Sequence, residues 1–306
     1  MVDISITTVT CPKLIIDRLS VCYFEPNQEE VGGTINLLIS EKTHKTFPGL
    51  YVTSSRFYKV SSRLPLVDPT TQKMASICFE AGPRIPGHAS FRIDFNPSKL
   101  TSNMWSQLWT FLQLIVDADS TEFFQLGRVT RLDVAIDLPG LTLEQVIVRS
   151  RRARKMGVYS DQHGNPETVY LGTPKSRRVV AYNKQDANLS SHFLRLEVRL
   201  KPNFMGKDII YIPNPFKNVD MFLQCAMPAQ LIGIPSRALA DSIRTSGLRI
   251  VKGYLNKDQR KLLVKAMKEA QSLLPSTEDI WKLWGHALSD SILIGGFSGM
   301  QIEKAA

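Results

Sequence analysis

The strongest pattern along the chain is an alternation of apolar and charged positions in residues 130–137. The sequence there reads Thr-Arg-Leu-Asp-Val-Ala-Ile-Asp. A period of two predicts a β-strand that buries one of its faces. Leu132, Val134 and Ile136 share that face. The opposite face has one cation and two carboxylates, namely Arg131, Asp133 and Asp137.

The same arrangement occurs in two further predicted strands, as Arg92-Ile-Asp94 and as Arg195-Leu-Glu197. In each of them the arginine and the acid are two positions apart, so both project from one side of the strand. Two interpretations follow from this spacing. Either each arginine forms an ion pair with the acid of its own strand, or the three strands join in one sheet and bring their carboxylates together.

Other periodic stretches predict helices and more strands around these three. Apolar residues recur at helical spacing over residues 102–116, between the Asp94 strand and the Asp133 strand. Thr142 and Gln145 have the spacing of a capping box, which predicts a helix containing the basic residues 149–155. Asn256 and Gln259 predict the start of another helix. Further strands are predicted at residues 34–39, after a Gly-Gly turn, and at 168–171, 178–182 and 193–200.

These elements predict an α+β fold. The core has the order β-α-β-α-β-β-β, which indicates a central, largely antiparallel sheet with helices packed on one face. Prolines end this core shortly after residue 200, and the remainder of the chain reads as a mostly helical C-terminal region. The predicted division is a β-rich N-terminal part of the sheet domain (1–73), an α+β core (74–201) and the helical region (202–306).

Composition adds a preference for an anionic partner. The 306 residues are 43% hydrophobic and 22% charged, which is typical of a globular protein, and the formal net charge is +10. A basic chain favours nucleic acid or, less readily, a membrane surface. No apolar stretch is long enough to cross a bilayer, so we expect no membrane partner. The four cysteines are scattered without a C-x-x-C pair, which predicts reduced thiols and no zinc framework.

The acidic strands and one tyrosine suggest phosphate chemistry. Carboxylate oxygens suit hard cations such as Mg²⁺ or Mn²⁺, and a cation with open coordination positions polarises phosphate oxygens. Tyr182 ends a predicted strand, and Lys184 follows it two residues later. A nearby cation stabilises the phenolate that an attacking tyrosine needs. Such an attack would leave a phosphotyrosine link to the cut strand. Tyr170, on the neighbouring strand, is the alternative nucleophile, and both residues also have the simpler interpretation of ordinary strand aromatics.

Basic residues near these positions are candidates for contact with a nucleic-acid backbone. A solvent-exposed charged face is the alternative interpretation for the cluster in residues 149–155. The candidates are Arg131, Arg151, Arg152, Arg154, Lys175, Arg177, Arg178 and Arg195.

The stretch 170–184, Tyr-Leu-Gly-Thr-Pro-Lys-Ser-Arg-Arg-Val-Val-Ala-Tyr-Asn-Lys, resembles the tyrosine motif of the rolling-circle replication initiator family. That family includes plasmid initiators of the Rep_trans type and replication initiation proteins of filamentous phages. The Asp133–Asp137 and Glu197 strands resemble its acidic motifs, and the Asp94 strand resembles the strand before them. The resemblance spans about residues 74–200, and there is no His-x-His stretch of the histidine-based initiators.

The resemblance implies a metal-dependent DNA nickase that cuts one origin strand and later rejoins it. Tyr182 would be the nucleophile with Lys184 beside it, Asp133 and Glu197 would hold Mg²⁺ or Mn²⁺, and Asp94 or Asp137 would be a third ligand. The implied partners are single-stranded or hairpin origin DNA, a host helicase and polymerase, and a second copy in a homodimer. The implied location is the cytoplasm of a bacterial host. The alternatives are a conjugative or mobilisation relaxase with the same site and a non-catalytic origin-binding regulator.

Overall fold

The computed structural model describes residues 11–25, 27–116, 120–175, 177–185, 192–224, 235–272 and 274–290. It contains a large sheet whose strands pair in antiparallel fashion, together with helices. The predicted α+β class is therefore confirmed, and the described part of the chain beyond residue 202 is mostly helical.

Helices interrupt the series of strands at two places in the first half of the chain, and strands follow one another directly in the middle. In chain order the strands are β1 (Lys13–Tyr23), β2 (Tyr51–Thr53), β3 (Tyr58–Val67), β4 (Met74–Pro83), β5 (Phe91–Phe95), β6 (Arg128–Pro139), β7 (Val146–Ser150), β8 (Met156–Ser160), β9 (Pro166–Gly172), β10 (Arg178–Gln185), β11 (His192–Leu200), β12 (Phe204–Met205) and β13 (Val219–Leu223).

The helices fall into two groups, one before β6 and one after β12. They are α1 (Gln28–Ile39), α2 (Glu41–Thr46), α3 (Ser102–Val116), α4 (Ser120–Leu126), α5 (Ser236–Ser246), α6 (Leu248–Gly253), α7 (Lys257–Ser272), α8 (Thr277–Trp281) and α9 (Trp284–Leu288), with short 3₁₀ turns at Pro97–Lys99 and Gly206–Tyr211.

The chain forms two compact units, which we name after a residue in each. For the described residues, the Asp94 unit takes in the ranges Ile15–Asp133, Lys201–Pro213 and Trp284–Ala306. The Tyr182 unit takes in Met1–Leu14, Val134–Leu200 and Asn214–Leu283. Strand β6 contributes its first half to the Asp94 unit and its second half to the Tyr182 unit. The division into 1–73, 74–201 and 202–306 stays a prediction.

The Asp94 unit is an antiparallel sheet covered by α1 and α3. Its strand order is β2-β3-β4-β5-β1, followed by β6. Helix α1 packs on β4 and on α3, and α3 packs on β3. The hydroxyl of Thr34 in α1 donates to the backbone carbonyl of Ile115 in α3, at 3.1 Å. This contact fixes the two helices to each other above the sheet.

The Tyr182 unit repeats the same strand order. There β6 is followed by β11, β10, β9 and β8, so the first strand again lies beside the last strand of an antiparallel series. The Arg-x-acid pairs occupy equivalent positions in the two units. Arg92 and Asp94 lie on β5, and Arg195 and Glu197 lie on β11, the strand next to the first strand in each order.

A second core in the Tyr182 unit lies between the small β7–β13 sheet and helices α5 to α7. Arg244 of α5, which is buried, stabilises this part of the unit. Its guanidinium donates to the carbonyls of Leu143, Glu144 and Val146 at 2.7–3.2 Å. Burial lowers the pKa of Arg244, because it penalises the charged form more than Asp241 stabilises it. The apolar members of this core are Ile147, Phe222, Leu239, Ala240, Ile243, Leu248, Val251, Leu255, Leu263 and Met267.

The predicted strand at 34–39 is wrong, because these residues form the second half of α1. Asn27 caps this helix by accepting a hydrogen bond from the backbone N–H of Glu29, at 3.0 Å. Its buried residues are Val31, Thr34 and Leu38, which have helical spacing. The two glycines that indicated a turn lie inside the helix, so packing against α3 and β4 outweighs their low helix propensity.

The predicted helix over the basic residues 149–155 is also wrong. The backbone N–H of Thr142 donates to the side-chain oxygen of Gln145 at 2.9 Å, so one half of the capping box forms, but only a turn follows. Val146–Ser150 instead forms β7 and pairs with β13. The β-branched run Val-Ile-Val favours a strand once a partner strand is present. The remaining basic residues, 151–155, lie in the irregular segment after β7. The observed core therefore has strands where the second helix was predicted.

The predicted helix cap at Asn256 is confirmed. Its side-chain oxygen accepts hydrogen bonds from the backbone N–H groups of Asp258 and Gln259 at 3.1 and 2.9 Å, and α7 follows. The thiols of Cys11, Cys22 and Cys78 are free, as the sequence predicts. Cys225 lies outside the described residues.

Candidate active site

Tyr182 lies on β10, the middle strand of the series β6-β11-β10-β9-β8. It is directly opposite Arg195 of β11 and Thr168 of β9. Two residues earlier, Val180 is opposite Glu197. Directly paired residues of an antiparallel sheet have their side chains on the same face. Tyr182, Arg195 and Glu197 therefore share one face, and the side chain of Tyr182 is half-buried on it.

Arg195 binds Asp137 of β6 on this face. Its Nε and Nη2 donate to the two carboxylate oxygens of Asp137, at 2.6 and 2.7 Å. The side chain of Arg195 is only 4% exposed. A guanidinium that is buried to this extent cannot exchange its carboxylate for water without a rearrangement of the sheet. The pair is therefore a fixed part of the sheet.

Glu197 has a more exposed partner. Arg199, two residues further along β11, donates to both carboxylate oxygens of Glu197 at 2.7 and 3.2 Å. The side chain of Arg199 is 35% exposed, although that of Glu197 is 2% exposed. Arg199 is therefore able to swing into water and leave the carboxylate to another cation. The sequence analysis missed Arg199, although the spacing Arg-x-Glu-x-Arg placed it on the same face.

The acids of the Asp94 unit are also paired with arginines. Both oxygens of Asp133 accept hydrogen bonds from Arg131, two positions earlier on β6, with a shortest distance of 2.6 Å. Asp94 accepts from Arg92 at 2.9 Å, from Arg18 at 2.7 Å and from the hydroxyl of Ser20. Arg18 and Ser20 are partners that the sequence analysis did not identify.

Arg92 links Asp94 to a further acid, Glu80, at 2.8 Å. Burial disfavours the charged form of Arg92, but Asp94 and Glu80 outweigh it and raise the pKa of the guanidinium. The strand motif thus forms ion pairs on its own strand at Arg131–Asp133 and Arg92–Asp94. At Arg195 it does not, since that guanidinium binds Asp137.

These contacts bear on which acids suit a metal ion. Asp94 and Asp133 belong to one unit, and Asp137 and Glu197 belong to the other. Within the described ranges, no group of three or more His, Cys, Asp or Glu side chains is arranged to hold a metal. The oxygen donors are of the type that Mg²⁺ and Mn²⁺ take, but guanidinium groups occupy them. In the Tyr182 unit, Glu197 fits a cation better than Asp137, because only its arginine is exposed enough to leave.

Lys184 shares the face of Tyr182, two positions along β10, and is half-buried. Between them Asn183 points to the other face and anchors the strand. Its side-chain oxygen accepts a hydrogen bond from the backbone N–H of Leu143 at 2.6 Å, and its amide donates to Glu144 at 3.1 Å. These bonds fix β10 at the residue next to Tyr182.

Tyr170, the alternative nucleophile, lies opposite Val180 on β9 and so shares the Tyr182 face. The guanidinium carbon of Arg178 lies 3.9 Å from the centre of its ring, which is a close cation–π contact. Tyr159 packs edge-on against the same ring, with a centroid distance of 5.5 Å. Tyr170 and Arg178 therefore belong to the same face of the sheet as Tyr182.

The face around Tyr182 has an excess of positive charge. The cations Arg178, Lys184, Arg195 and Arg199 share it with the carboxylates Asp137 and Glu197, so four positive groups accompany two negative ones. A surface of this kind attracts phosphate.

Three of the predicted DNA-binding arginines lie together on the other face of β9 and β10. Arg152, Arg154 and Arg177 line a cavity of about 390 Å³, whose walls include Leu171 and Val179. The backbone N–H of Gly172 donates to the carbonyl of Lys155 at 2.8 Å, and this bond joins the two loops that hold the arginines. Val179 and Tyr182 differ by an odd number of positions on one strand, so they face opposite ways.

Arg177 is the least exposed of the three arginines in this cavity, which we call the arginine cavity. Its guanidinium donates to the carbonyl of Pro215. Burial, and then repulsion from Arg152, lowers the pKa of Arg177. Among the described residues, no carboxylate pairs with any of the three arginines. Lys175 is exposed in the neighbouring turn.

Arg151 differs from its neighbours in residues 149–155. It binds both carboxylate oxygens of Asp220 on β13, at 2.8 and 3.0 Å. These bonds raise the pKa of Arg151. The structure therefore separates one structural arginine of this cluster from two that remain available to an anion.

Comparisons with known proteins add little to this geometry. No known family matches the chain, and no curated protein matches it. A solved structure of an uncharacterised protein from Rhizobium leguminosarum aligns with 83% of this chain and 97% of its own, at 6% identity and a TM-score of 0.14. A likeness at that TM-score supports no conclusion about fold or function. Among the described helices, none combines the length and apolarity that a bilayer crossing requires.

Proposed function

We propose that the protein is an initiator of rolling-circle DNA replication that nicks one strand of its origin through Tyr182. The observation that supports this most is the half-buried Tyr182 on a sheet face with four cations and two carboxylates. Such a face attracts a phosphodiester and lowers the cost of forming a phenolate beside it. The arginine cavity on the opposite face offers the same unit a second contact with the DNA backbone.

In the proposed reaction the phenolate oxygen of Tyr182 bonds to the scissile phosphorus while the bond from phosphorus to the 3′ oxygen breaks. The tyrosine proton leaves to water, and the 3′ oxygen takes up a proton. The 5′ phosphate stays on the protein, and the 3′ hydroxyl primes a polymerase. Attack of a 3′ hydroxyl on the phosphotyrosine reverses these steps and rejoins the strand. Lys184 and Arg195 stabilise the charge on the phenolate and on the phosphate.

Mg²⁺ or Mn²⁺ is part of this proposal. Of the acids beside Tyr182, Glu197 is the ligand that fits, because Arg199 is exposed enough to release it. Asp137 is the less suitable ligand, because its arginine is buried. A cation bound there would polarise the non-bridging oxygens of the scissile phosphate. Asp133 and Asp94, in the other unit, remain predicted ligands from the sequence.

The partners in this proposal are single-stranded or hairpin origin DNA, a host helicase and a polymerase, in the cytoplasm of a bacterial host. A homodimer and a conjugative relaxase are compatible with the same site. A non-catalytic origin-binding regulator is favoured by one specific observation. Asp133, Asp137 and Glu197 each accept hydrogen bonds from an arginine through both carboxylate oxygens. A sheet that binds DNA without a metal would have its acids paired in this way.

A covalent-trapping experiment distinguishes the nickase from the regulator. The protein is incubated with a library of random single-stranded oligonucleotides in Mg²⁺ or Mn²⁺, and denatured complexes are separated on a gel. A nickase yields sequence-selective covalent adducts that EDTA abolishes. Specific binding in native gels without any adduct would instead establish the regulator.

A further inference from the structure

Two cavities lie in the Asp94 unit, and every residue in their walls belongs to that unit. One has a volume of about 500 Å³ and the other of about 470 Å³. They share Phe24 and His88 in their walls. We call this feature the aromatic groove. Its walls include both aromatic rings and cations, among them Phe24, Phe57, His88, Arg84, Arg128 and Lys201.

Aromatic rings lie open in this groove. Phe24 is 51% exposed and Phe57 is 43% exposed, although both are fully apolar side chains. Phe57 stacks on His88, with ring centroids 5.8 Å apart and an interplanar angle of 27°. Clustered exposed aromatic rings beside a cavity indicate a binding surface rather than chance exposure. Their flat faces match the faces of nucleobases, which stack on aromatic side chains whatever their sequence.

Cations lie beside these rings. The guanidinium carbon of Arg128 lies 6.0 Å from the ring centre of Phe24, and that of Arg56 lies 5.5 Å from the ring centre of Phe57. Lys201 lines the same cavity as Arg128, and both are exposed. Each ring therefore has a cation beside it, which suits a strand of nucleic acid because every base is attached to a charged phosphate.

The charge of these cations is not neutralised by neighbours. Arg128 donates to the neutral side-chain oxygen of Asn203, at 3.4 Å. Throughout the described part of the chain, no carboxylate pairs with Arg56, Arg128 or Lys201. The other arginines of the larger cavity, Arg92 and Arg131, differ in this respect because acids of the sheet hold them. Glu25 lines the smaller cavity, so the larger cavity is the one that combines stacking surfaces with positive charge that no described carboxylate pairs with at Arg128 and Lys201.

We propose that the aromatic groove binds single-stranded nucleic acid, with bases stacked on Phe24 and Phe57 and phosphates bound by Arg128 and Lys201. A double helix does not fit this chemistry, because its bases are already stacked on each other. An apolar peptide would gain nothing from the cations. The site requires no strand cleavage, so it holds whether or not Tyr182 is a nucleophile.

Binding is measured by fluorescence anisotropy with a labelled oligo-dT of about 12 nucleotides, a length within the range that single-strand sites cover. Phe24→Ala and Phe57→Ala should each raise Kd by about 5- to 100-fold, the range for losing one stacked base. Tyr51→Ala is the matched control, because Tyr51 is an exposed aromatic residue of the same unit, 67% exposed, outside the groove. Phe57→Trp should restore binding, and equal thermal melting of the variants excludes misfolding.

Two further arms separate base stacking from charge. An abasic oligonucleotide of equal length should bind more weakly than oligo-dT and should be insensitive to Phe24→Ala. Arg128→Gln and Lys201→Gln should each lower the magnitude of the log Kd against log salt slope by about 0.7, the value per phosphate for single strands. Lys73→Gln, at an exposed turn of the same unit outside the groove, should leave the slope unchanged.

Photocrosslinking with 5-iodouracil oligonucleotides locates the bound base. We expect the crosslinked peptides to contain Phe24 or Phe57. Crosslinks confined to the Tyr182 unit, or wild-type affinity in the Phe24→Ala, Phe57→Ala double variant, would overturn the proposal. So would equal affinity for a duplex of the same length. These readouts use binding alone, so a failure of the nicking proposal is distinguishable from a failure of this one.

Discussion

Arg195 binds Asp137 across the sheet and not Glu197, the acid two residues further along its own strand. Its two donor atoms lie 2.6 and 2.7 Å from the two oxygens of Asp137. The pair joins β11 to β6 beside Tyr182. Because Arg195 is buried, we interpret Asp137 as the residue that fixes the sheet at the candidate site, and Glu197 as the acid that remains exchangeable.

The first prediction is a difference in stability between the two acids. Asp137→Asn removes the carboxylate that the Nε and Nη2 of the buried Arg195 bind, which should lower the free energy of unfolding by about 3 kcal/mol. Glu197→Gln should cost less, about 1 kcal/mol, because Arg199 is partly exposed and water takes over its charge. Urea unfolding followed by circular dichroism measures both. Equal losses would contradict the assignment of Asp137 as the fixed member.

A second prediction concerns metal binding at Glu197. Glu197→Gln should weaken Mn²⁺ binding, measured by electron paramagnetic resonance, by at least tenfold, because an amide is a poorer ligand for a hard cation than a carboxylate. Arg199→Gln should strengthen it, because the competing guanidinium is gone. A Glu80→Gln variant, in the other unit, is the control. Unchanged Mn²⁺ affinity in both β11 variants would remove Glu197 from the metal proposal.

The faces on which the candidate site residues lie could be predicted from the sequence, because alternation in a strand is a local property. Tyr182, Lys184 and the acids fall on the faces that a period of two assigns them, and the register then places Tyr182 opposite Arg195. The choice of partner for each acid was not predictable, because it depends on which strands become neighbours. Arg18 is 76 positions from Asp94, and no local pattern connects them.

The wrong element predictions have the same cause. Residues 34–39 look like a strand alone, but the buried spacing of Val31, Thr34 and Leu38 appears once α3 lies against them. The run after Thr142 has a helix-start signal, yet β13 offers Val146–Ser150 a strand to pair with. In both places tertiary contacts outweighed local propensity.

The third prediction separates the structural arginine after β7 from those that we propose to bind DNA. Arg152→Gln and Arg154→Gln together should lower the magnitude of the log K against log salt slope for duplex DNA by about 1.8, or about 0.9 for each lost phosphate contact. Arg151→Gln is the control, because Asp220 already binds its guanidinium. It should reduce stability and leave the slope near that of the wild type. A slope that falls equally in the control would contradict the distinction.

The last prediction tests the proposed nucleophile. Tyr182→Phe keeps the aromatic ring at this position of β10 and removes only the attacking oxygen. Folding and DNA binding should therefore survive, and the covalent adduct should disappear. Adducts are formed with an end-labelled oligonucleotide that the library selects, in Mg²⁺ or Mn²⁺, and the labelled peptide is identified by mass spectrometry after digestion. Tyr170→Phe is the matched control on the same face, with its ring under Arg178. Loss of the adduct in Tyr170→Phe but not in Tyr182→Phe would move the nucleophile to β9 and keep the mechanism. Adducts that persist in both variants would place the chemistry on another residue, such as Tyr159, which pairs with Thr168 of β9 and so shares the face of Tyr182.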